Sequence, residues 1–138
     1  MLKGKALVWL ISVLIIVAIL AVGGWFVYAK YYTNKIEVSE NQENIGTTKG
    51  QEFTIRFVSN ASTGYSWKVE ESYDKNIVSL VGHKYKSSNS GMVGAAGEEL
   101  WTFKGVNKGN TKLNFSYVRP WEGSKQPLNA KSFNITVR

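Results

Sequence analysis

The chain has 138 residues, no cysteine, one histidine and a formal net charge of +7, a length that allows one domain with an appendage. The missing thiol excludes a disulfide scaffold, a thiolate metal site and a cysteine nucleophile within the chain, and a Ser-His-Asp triad would have to be assembled from the single His83 and the single Asp74. Four of the 17 basic residues (Lys3, Lys5, Lys30 and Lys35) precede the first acid, leaving 13 against ten in the remainder; so dispersed a balance does not make a nucleic-acid surface.

Residues 6–29 contain no charged side chain, and a helix of about 20 such residues crosses a bilayer core. A cleaved signal peptide shares the basic start, and Ala21-Val22-Gly23 would serve as its cleavage site, but the apolar region of a signal normally stops after about 7–15 residues. Here the apolar character continues through Trp25, Phe26, Val27 and Tyr28, which suit a membrane interface. The expectation is a signal-anchor over residues 1–30 that meets the lipid bilayer through 6–29. Lys3, Lys5 and the amino terminus face the inside and the domain faces outward; secretion after cleavage is the alternative.

Residues 31–50 read as a juxtamembrane tether in which Ile36 and Val38 alternate around Glu37 as a short first edge strand, with Gly46 and Gly50 as punctuation. From residue 51 to 138 the pattern is that of a folded domain. Phe53, Ile55 and Phe57 alternate with polar neighbours, and Tyr65, Trp67 and Val69 repeat the pattern. Ile77–Val81 with Tyr85 makes another strand, then Ser87–Gly91 reads as a loop. Trp101 and Phe103 follow, with a bulge expected at Gly105, and Asn107-Lys108-Gly109-Asn110 carries a hairpin signal. Leu113, Phe115 and Tyr117, then Phe133, Ile135 and Val137, complete six or seven strands of an all-β antiparallel sandwich. Glu98 and Glu99 would point to opposite faces of their strand, so they form no metal site; no metal or other cofactor is expected.

Three turns interrupt these strands and are candidates for the working edge. The first is Asn60-Ala61-Ser62-Thr63-Gly64-Tyr65, where Gly64 permits positive φ; alone it is an ordinary polar β-turn. The second, Met92-Val93-Gly94-Ala95-Ala96-Gly97, leaves its backbone accessible to a partner, as any plain surface loop would. The third is Arg119-Pro120-Trp121-Glu122. Arg and Trp are the residue types that most often carry interface energy, and Pro120 stiffens the backbone between them. The plainer alternative folds Trp121 onto the sandwich and leaves Arg119 in a surface ion pair.

Taken together, Asn60-Ala61-Ser62-Thr63-Gly64, Gly94-Ala95-Ala96-Gly97 and Arg119-Pro120-Trp121 resemble the three binding loops of the chagasin family, immunoglobulin-like inhibitors of papain-like cysteine peptidases. The family pattern is Asn-Pro-Thr-Thr-Gly, Gly-x-Gly-Gly and Arg-Pro-Trp, in that order. Tyr65 and Trp67 after the first motif, and Leu100-Trp101-Thr102-Phe103 after the second, are also similar. The resemblance implies a reversible, non-covalent wedge. Thr63 and Gly64, flanked by Asn60, Ala61, Ser62 and Tyr65, would face the catalytic cysteine of a peptidase of the same cell or a foreign one. Gly94, Ala95, Ala96 and Gly97 would lie along one cleft wall, with Arg119, Pro120 and Trp121 on the histidine side. Ala61 stands where the family has Pro, losing stiffening of about 0.4–1 kcal/mol. Ala96 stands where it has Gly, at a cost of about 1–2 kcal/mol if φ there were positive.

The competing reading is an adhesion or carbohydrate-binding β-sandwich whose Trp121 stacks on a ligand. Asn60-Ala61-Ser62 is also a glycosylation sequon; because a glycan on the first turn would block insertion into a cleft, the expected host is a cell that does not glycosylate this protein, most simply a prokaryote.

Overall fold

The computed structural model describes residues 2–33, 35–88, 94–123 and 126–138. They form two compact units, residues 1–34 and 35–138. The first contains helix α1 (Leu2–Thr33). Its stretch Gly4–Ala29 contains an 18-residue window with a mean hydropathy of 3.0, and that window is not buried within the protein. At 1.5 Å per residue it is roughly 39 Å long, enough to cross a hydrocarbon core of about 30 Å. The helix is therefore of the kind that serves as a signal or an anchor.

The second unit is a sandwich of two four-stranded sheets. Its strands are β1 (Lys35–Ser39), β2 (Asn44–Thr47), β3 (Glu52–Ser59), β4 (Ser66–Val69), β5 (Val78–Lys86), β6 (Gly97–Gly105), β7 (Gly109–Val118) and β8 (Asn129–Val137). One sheet has the order β1-β3-β6-β5 and the other β2-β8-β7-β4. The alternation read from the sequence becomes burial: Phe53, Ile55, Phe57, Phe103, Leu113, Phe115, Phe133 and Ile135 are all buried between the sheets. Phe57 is at the centre, its ring 4.4 Å from Trp67, 4.8 Å from Phe115 and 5.8 Å from Phe133.

Four features differ from the sequence expectation. The sandwich is not antiparallel throughout, because β1 pairs parallel with β3 and β2 parallel with β8. Strand β2 is an additional element within residues 31–50; only Ile45 and Thr47 are buried there, too short an alternation to recognise. The bulge is not at Gly105 but between Leu80 and Gly82 in β5. An extra residue there disturbs one ladder, whereas β6 is paired on both sides. Finally, Asn107–Asn110 does not close a hairpin, since β6 and β7 lie in different sheets. The turn crosses the sandwich, fastened by Val106 N–H donating to Ile77 O (2.8 Å) and Asn107 Nδ2 donating to Asn76 O (2.8 Å).

The direction of the strands brings the three candidate turns together. Ser59 at the end of β3 pairs with Gly97 at the start of β6, Lys86 at the end of β5 pairs with Glu98, and Ser66 at the start of β4 pairs with Val118 at the end of β7. All three turns therefore emerge from one end of the sandwich. The first crosses between the sheets, while the second and third each join neighbouring strands of one sheet. The aromatic centre sets the stability of this frame. Phe57→Ala should cost about 3–5 kcal/mol in denaturant unfolding of the full chain in detergent, whereas Lys84→Ala on the exposed part of β5 should change stability by less than about 0.5 kcal/mol.

Candidate functional site

The first tip is a short 3-10 turn, Ala61–Thr63, capped at both ends. Asn60 Oδ1 accepts from Ser62 N–H (3.1 Å) and from Ser62 Oγ (2.7 Å), and Thr63 Oγ1 donates to Asn60 O (2.6 Å). Gly64 ends the turn at φ 77° and donates its N–H to Ala61 O (3.1 Å). Ala61, Ser62 and Thr63 are exposed, with Asn60, Gly64 and Tyr65 half-buried beneath them. The side chains of Asn60, Ser62 and Thr63 are thus all bonded within the turn or to its neighbours, which holds the backbone from 61 to 64 in one shape.

Of the second tip, Gly94, Ala95, Ala96 and Gly97 lie within the described residues; Met92 and Val93 lie outside them. Gly94 has φ 81°, and its carbonyl accepts from Asn60 Nδ2 (3.0 Å). Gly97 is buried in β6, where an added Cβ would fall 2.5 Å from Lys86 O. No non-glycine residue among those described has positive φ, so Ala96 carries no left-handed strain and its replacement of a glycine is conformationally free.

In the third tip Pro120–Glu122 forms another 3-10 turn, with Pro120 at a position that suits its fixed φ. Arg119 turns back toward the first tip. Its Nε donates to Thr63 O (3.1 Å), its Nη1 meets Glu122 Oε1 at 3.2 Å, and the guanidinium lies 4.4 Å from the centre of the Tyr65 ring. Trp121 is 69% exposed, yet the edge of its ring rests on Gly64, where any Cβ would collide with it. The arrangement combines both sequence alternatives: Arg119 does make an ion pair, and Trp121 touches the sandwich without being buried by it.

Beneath the tips runs a column of rings. Tyr65 lies 5.3 Å from Tyr117, Tyr117 lies 5.1 Å from Trp67, and Trp67 stacks on Phe57 at 4.4 Å. Tyr117 also accepts from Asn60 N–H through its hydroxyl (3.1 Å). Tyr117 and Asn60 thus hold the first tip against the second sheet.

Two residues outside the motifs acquire roles that the sequence reading did not give them. Glu99 is 2% exposed. Its Oε1 accepts from Ser59 Oγ (2.6 Å) and from Trp67 N–H (3.1 Å), and His83 Nε2 lies 2.8 Å from its Oε2. His83, in β5, stacks on Trp101 at 4.0 Å. The sequence signal was the period of β6: stepping back by twos from Phe103 through Trp101 puts Glu99, not Glu98, on the inner face. The carboxyl stands between the hydroxyl and the imidazole. In a hydrolytic triad the imidazole stands between the other two, so these three side chains do not make one. Among the described residues no group of three His, Asp or Glu is placed to hold a metal ion.

Comparison with known proteins places this geometry in a family. Residues 47–137 match the model of the chagasin family peptidase inhibitor I42. Amoebiasin-2 of Entamoeba histolytica is 33% identical over 84 residues, covering 61% of this chain and 68% of the relative. Chagasin of Trypanosoma cruzi is 28% identical over 95 residues, covering 66% and 86% respectively. The crystal structure of the cysteine protease inhibitor EhICP2 from Entamoeba histolytica superposes with a TM-score of 0.64 at 28% identity, over 75% of this chain and 96% of that one.

The contact between Gly64 and Trp121 is directly testable. Gly64→Ala should destabilise the left-handed turn by about 1–2 kcal/mol and push Trp121 aside. In an indole NMR spectrum the Trp121 signal should move while those of the buried Trp67 and Trp101 stay in place.

Proposed function

The chain belongs to the chagasin family of peptidase inhibitors, and from that premise we propose that it inhibits papain-like cysteine peptidases as a reversible three-tip wedge carried on an immunoglobulin-like sandwich. It is an inhibitor and not an enzyme. The observation that carries the wedge is the mutual fastening of the tips: Asn60 Nδ2 on Gly94 O, Arg119 Nε on Thr63 O, and Trp121 on Gly64. Such an edge loses little conformational entropy on entering a cleft.

In this reading the backbone at Thr63 and Gly64 sits closest to the catalytic cysteine, with Asn60, Ala61, Ser62 and Tyr65 shaping the approach. Gly94, Ala95, Ala96 and Gly97 offer a flat wall with little side chain. Trp121 is the principal anchor, beside Arg119 and Pro120. The interface would bury about 800 Å² per partner, as protease–inhibitor pairs usually do. No covalent bond is needed, because a peptide held rigidly in the cleft and out of line with the thiolate is not cleaved.

Titration of the protein against papain with a fluorogenic substrate should show competitive inhibition at nanomolar concentration. Trp121→Ala should raise the inhibition constant by roughly thirtyfold or more, about 2 kcal/mol. An adhesion or carbohydrate-binding surface would also need the exposed Trp121, but it would tolerate a bulky side chain at the exposed Thr63. Full inhibition by the Thr63→Trp protein would refute the wedge.

The helix is assigned to an uncleaved anchor, amino terminus inside and sandwich outside the membrane, on the strength of its 26-residue apolar stretch and the lysines at positions 3 and 5. Intact-mass measurement of the protein from a membrane fraction should find residues 2–33 present. A soluble product beginning near Gly24 would instead establish a cleaved signal.

A further inference from the structure

The first tip differs from the other two in how its ends are held. The second and third tips join strands that are neighbours in a sheet, so each is closed by a ladder of backbone hydrogen bonds between the strands it connects. The first leaves one sheet at Ser59 and enters the other at Ser66, and β3 and β4 share no ladder. Something else must set the distance between its two arms.

Glu99 stands at that gap. It projects from β6, the strand that pairs with β3 through Ser59↔Gly97 and Phe57↔Glu99. One carboxyl oxygen takes Ser59 Oγ–H from the outgoing arm (2.6 Å) and Trp67 N–H from the returning arm (3.1 Å). The other meets His83 Nε2 on the edge strand β5 (2.8 Å), and the His83 ring is itself fixed on Trp101 at 4.0 Å. A second cross-tie, Trp67 Nε1 donating to Val58 O (3.1 Å), lies alongside. A buried acid is an expensive way to fill a core and is weak evidence for stability. At this position its acceptor atoms do what an apolar side chain could not, which is to hold a side chain of one arm and the backbone of the other on a single oxygen where no ladder joins them.

We infer that Glu99 is the positioning residue of the first tip, clamping Ser59 and Trp67 at the spacing that makes Thr63 and Gly64 protrude as a rigid wedge, with His83 holding the carboxyl in orientation. The inference deepens the wedge reading and rests on it for its inhibitory consequence, but the clamp itself is a property of the free protein. Glu99 touches no peptidase in this arrangement and acts through the two arms.

The test uses the full chain in detergent and two independent readouts, amide hydrogen exchange of the free protein and the inhibition constant against papain. Glu99→Leu has a similar size and no acceptor. It should speed exchange across residues 60–67 by at least about tenfold, as expected for a lost hydrogen bond to a buried carboxyl, while 101–103 and 113–115 keep their protection. The inhibition constant should rise by a similar factor. Glu99→Gln keeps an acceptor for Ser59 and Trp67 and should stay within about threefold of the unmodified protein in both readouts. Val137→Ala, at the opposite end of β8, is the control for general destabilisation: it should lower the melting temperature without changing exchange at 60–67 or inhibition. If Glu99→Leu does not fold, Ser59→Ala removes one arm's donor and should give faster exchange confined to 60–67. Unchanged exchange there, or exchange raised equally throughout the sandwich, would overturn the clamp. Faster exchange in 60–67 with no loss of inhibition would overturn its functional role. Because exchange is read without a peptidase, absence of inhibition by the unmodified protein would refute the wedge and leave the clamp to be decided by exchange alone.

Discussion

The column Phe57–Trp67–Tyr117–Tyr65–Arg119 is the interaction on which the rest of the site depends. Its contacts run from 4.4 to 5.3 Å, and each ring pair contributes about 0.5–1.5 kcal/mol beyond the area it buries. The column begins at the centre of the core and ends on the guanidinium that holds Thr63 O. The rigidity of the close-packed interior is thereby carried to a surface turn that buries none of its own residues. Trp67 and Tyr65 come from β4 and its approach, Tyr117 from β7, and Phe57 from β3, so the column also joins the two sheets where the first tip crosses between them.

On this foundation the three tips behave as one surface. Asn60 ties the first to the second, Arg119 and Trp121 tie the third to the first, and Glu99 closes the gap beneath. The replacements at 61 and 96 fit the same frame. Ala61 occupies the first position of a capped 3-10 turn, where proline would be accepted but where Asn60 already fixes the entry. Ala96 sits without positive φ. Asn60 Nδ2 donates to Gly94 O, so a sugar on that nitrogen would stand between the first two tips, which gives a geometric reason for the sequon to remain unmodified in a working inhibitor.

Much of the sandwich was legible in the sequence because period-two alternation is long and strong in β3, β6, β7 and β8, where Phe, Trp, Ile and Leu supply the inner face. The illegible parts have physical causes. Strand β2 has four residues and a glycine among them, and its existence depends on pairing with β8 rather than on its own pattern. Asn107–Asn110 has hairpin composition, but composition specifies a tight turn and not the sheet in which the next strand will pair. In the crossing turn Gly109 lies against the Ile77 side chain, where a Cβ would come within 2.7 Å of Ile77 Cδ1. Glu99 was missed as a core residue because its charge outweighed its place in the period. The motifs of the tips identified the residues to watch, whereas the hydrogen bonds from Asn60 and Arg119 that unite them follow only from the folded backbone.

In the proposed wedge, the end of the sandwich bearing the tips is the surface that meets the peptidase. Amide hydrogen exchange of the protein alone and bound to papain tests it most directly. Added protection should concentrate at residues 60–65, 94–97 and 119–121, with the strands beneath them little changed. Protection on the outer face around Glu37, Arg56 and Glu98, or at the opposite end around Val106 and Asn107, with the tips still exchanging freely, would contradict it.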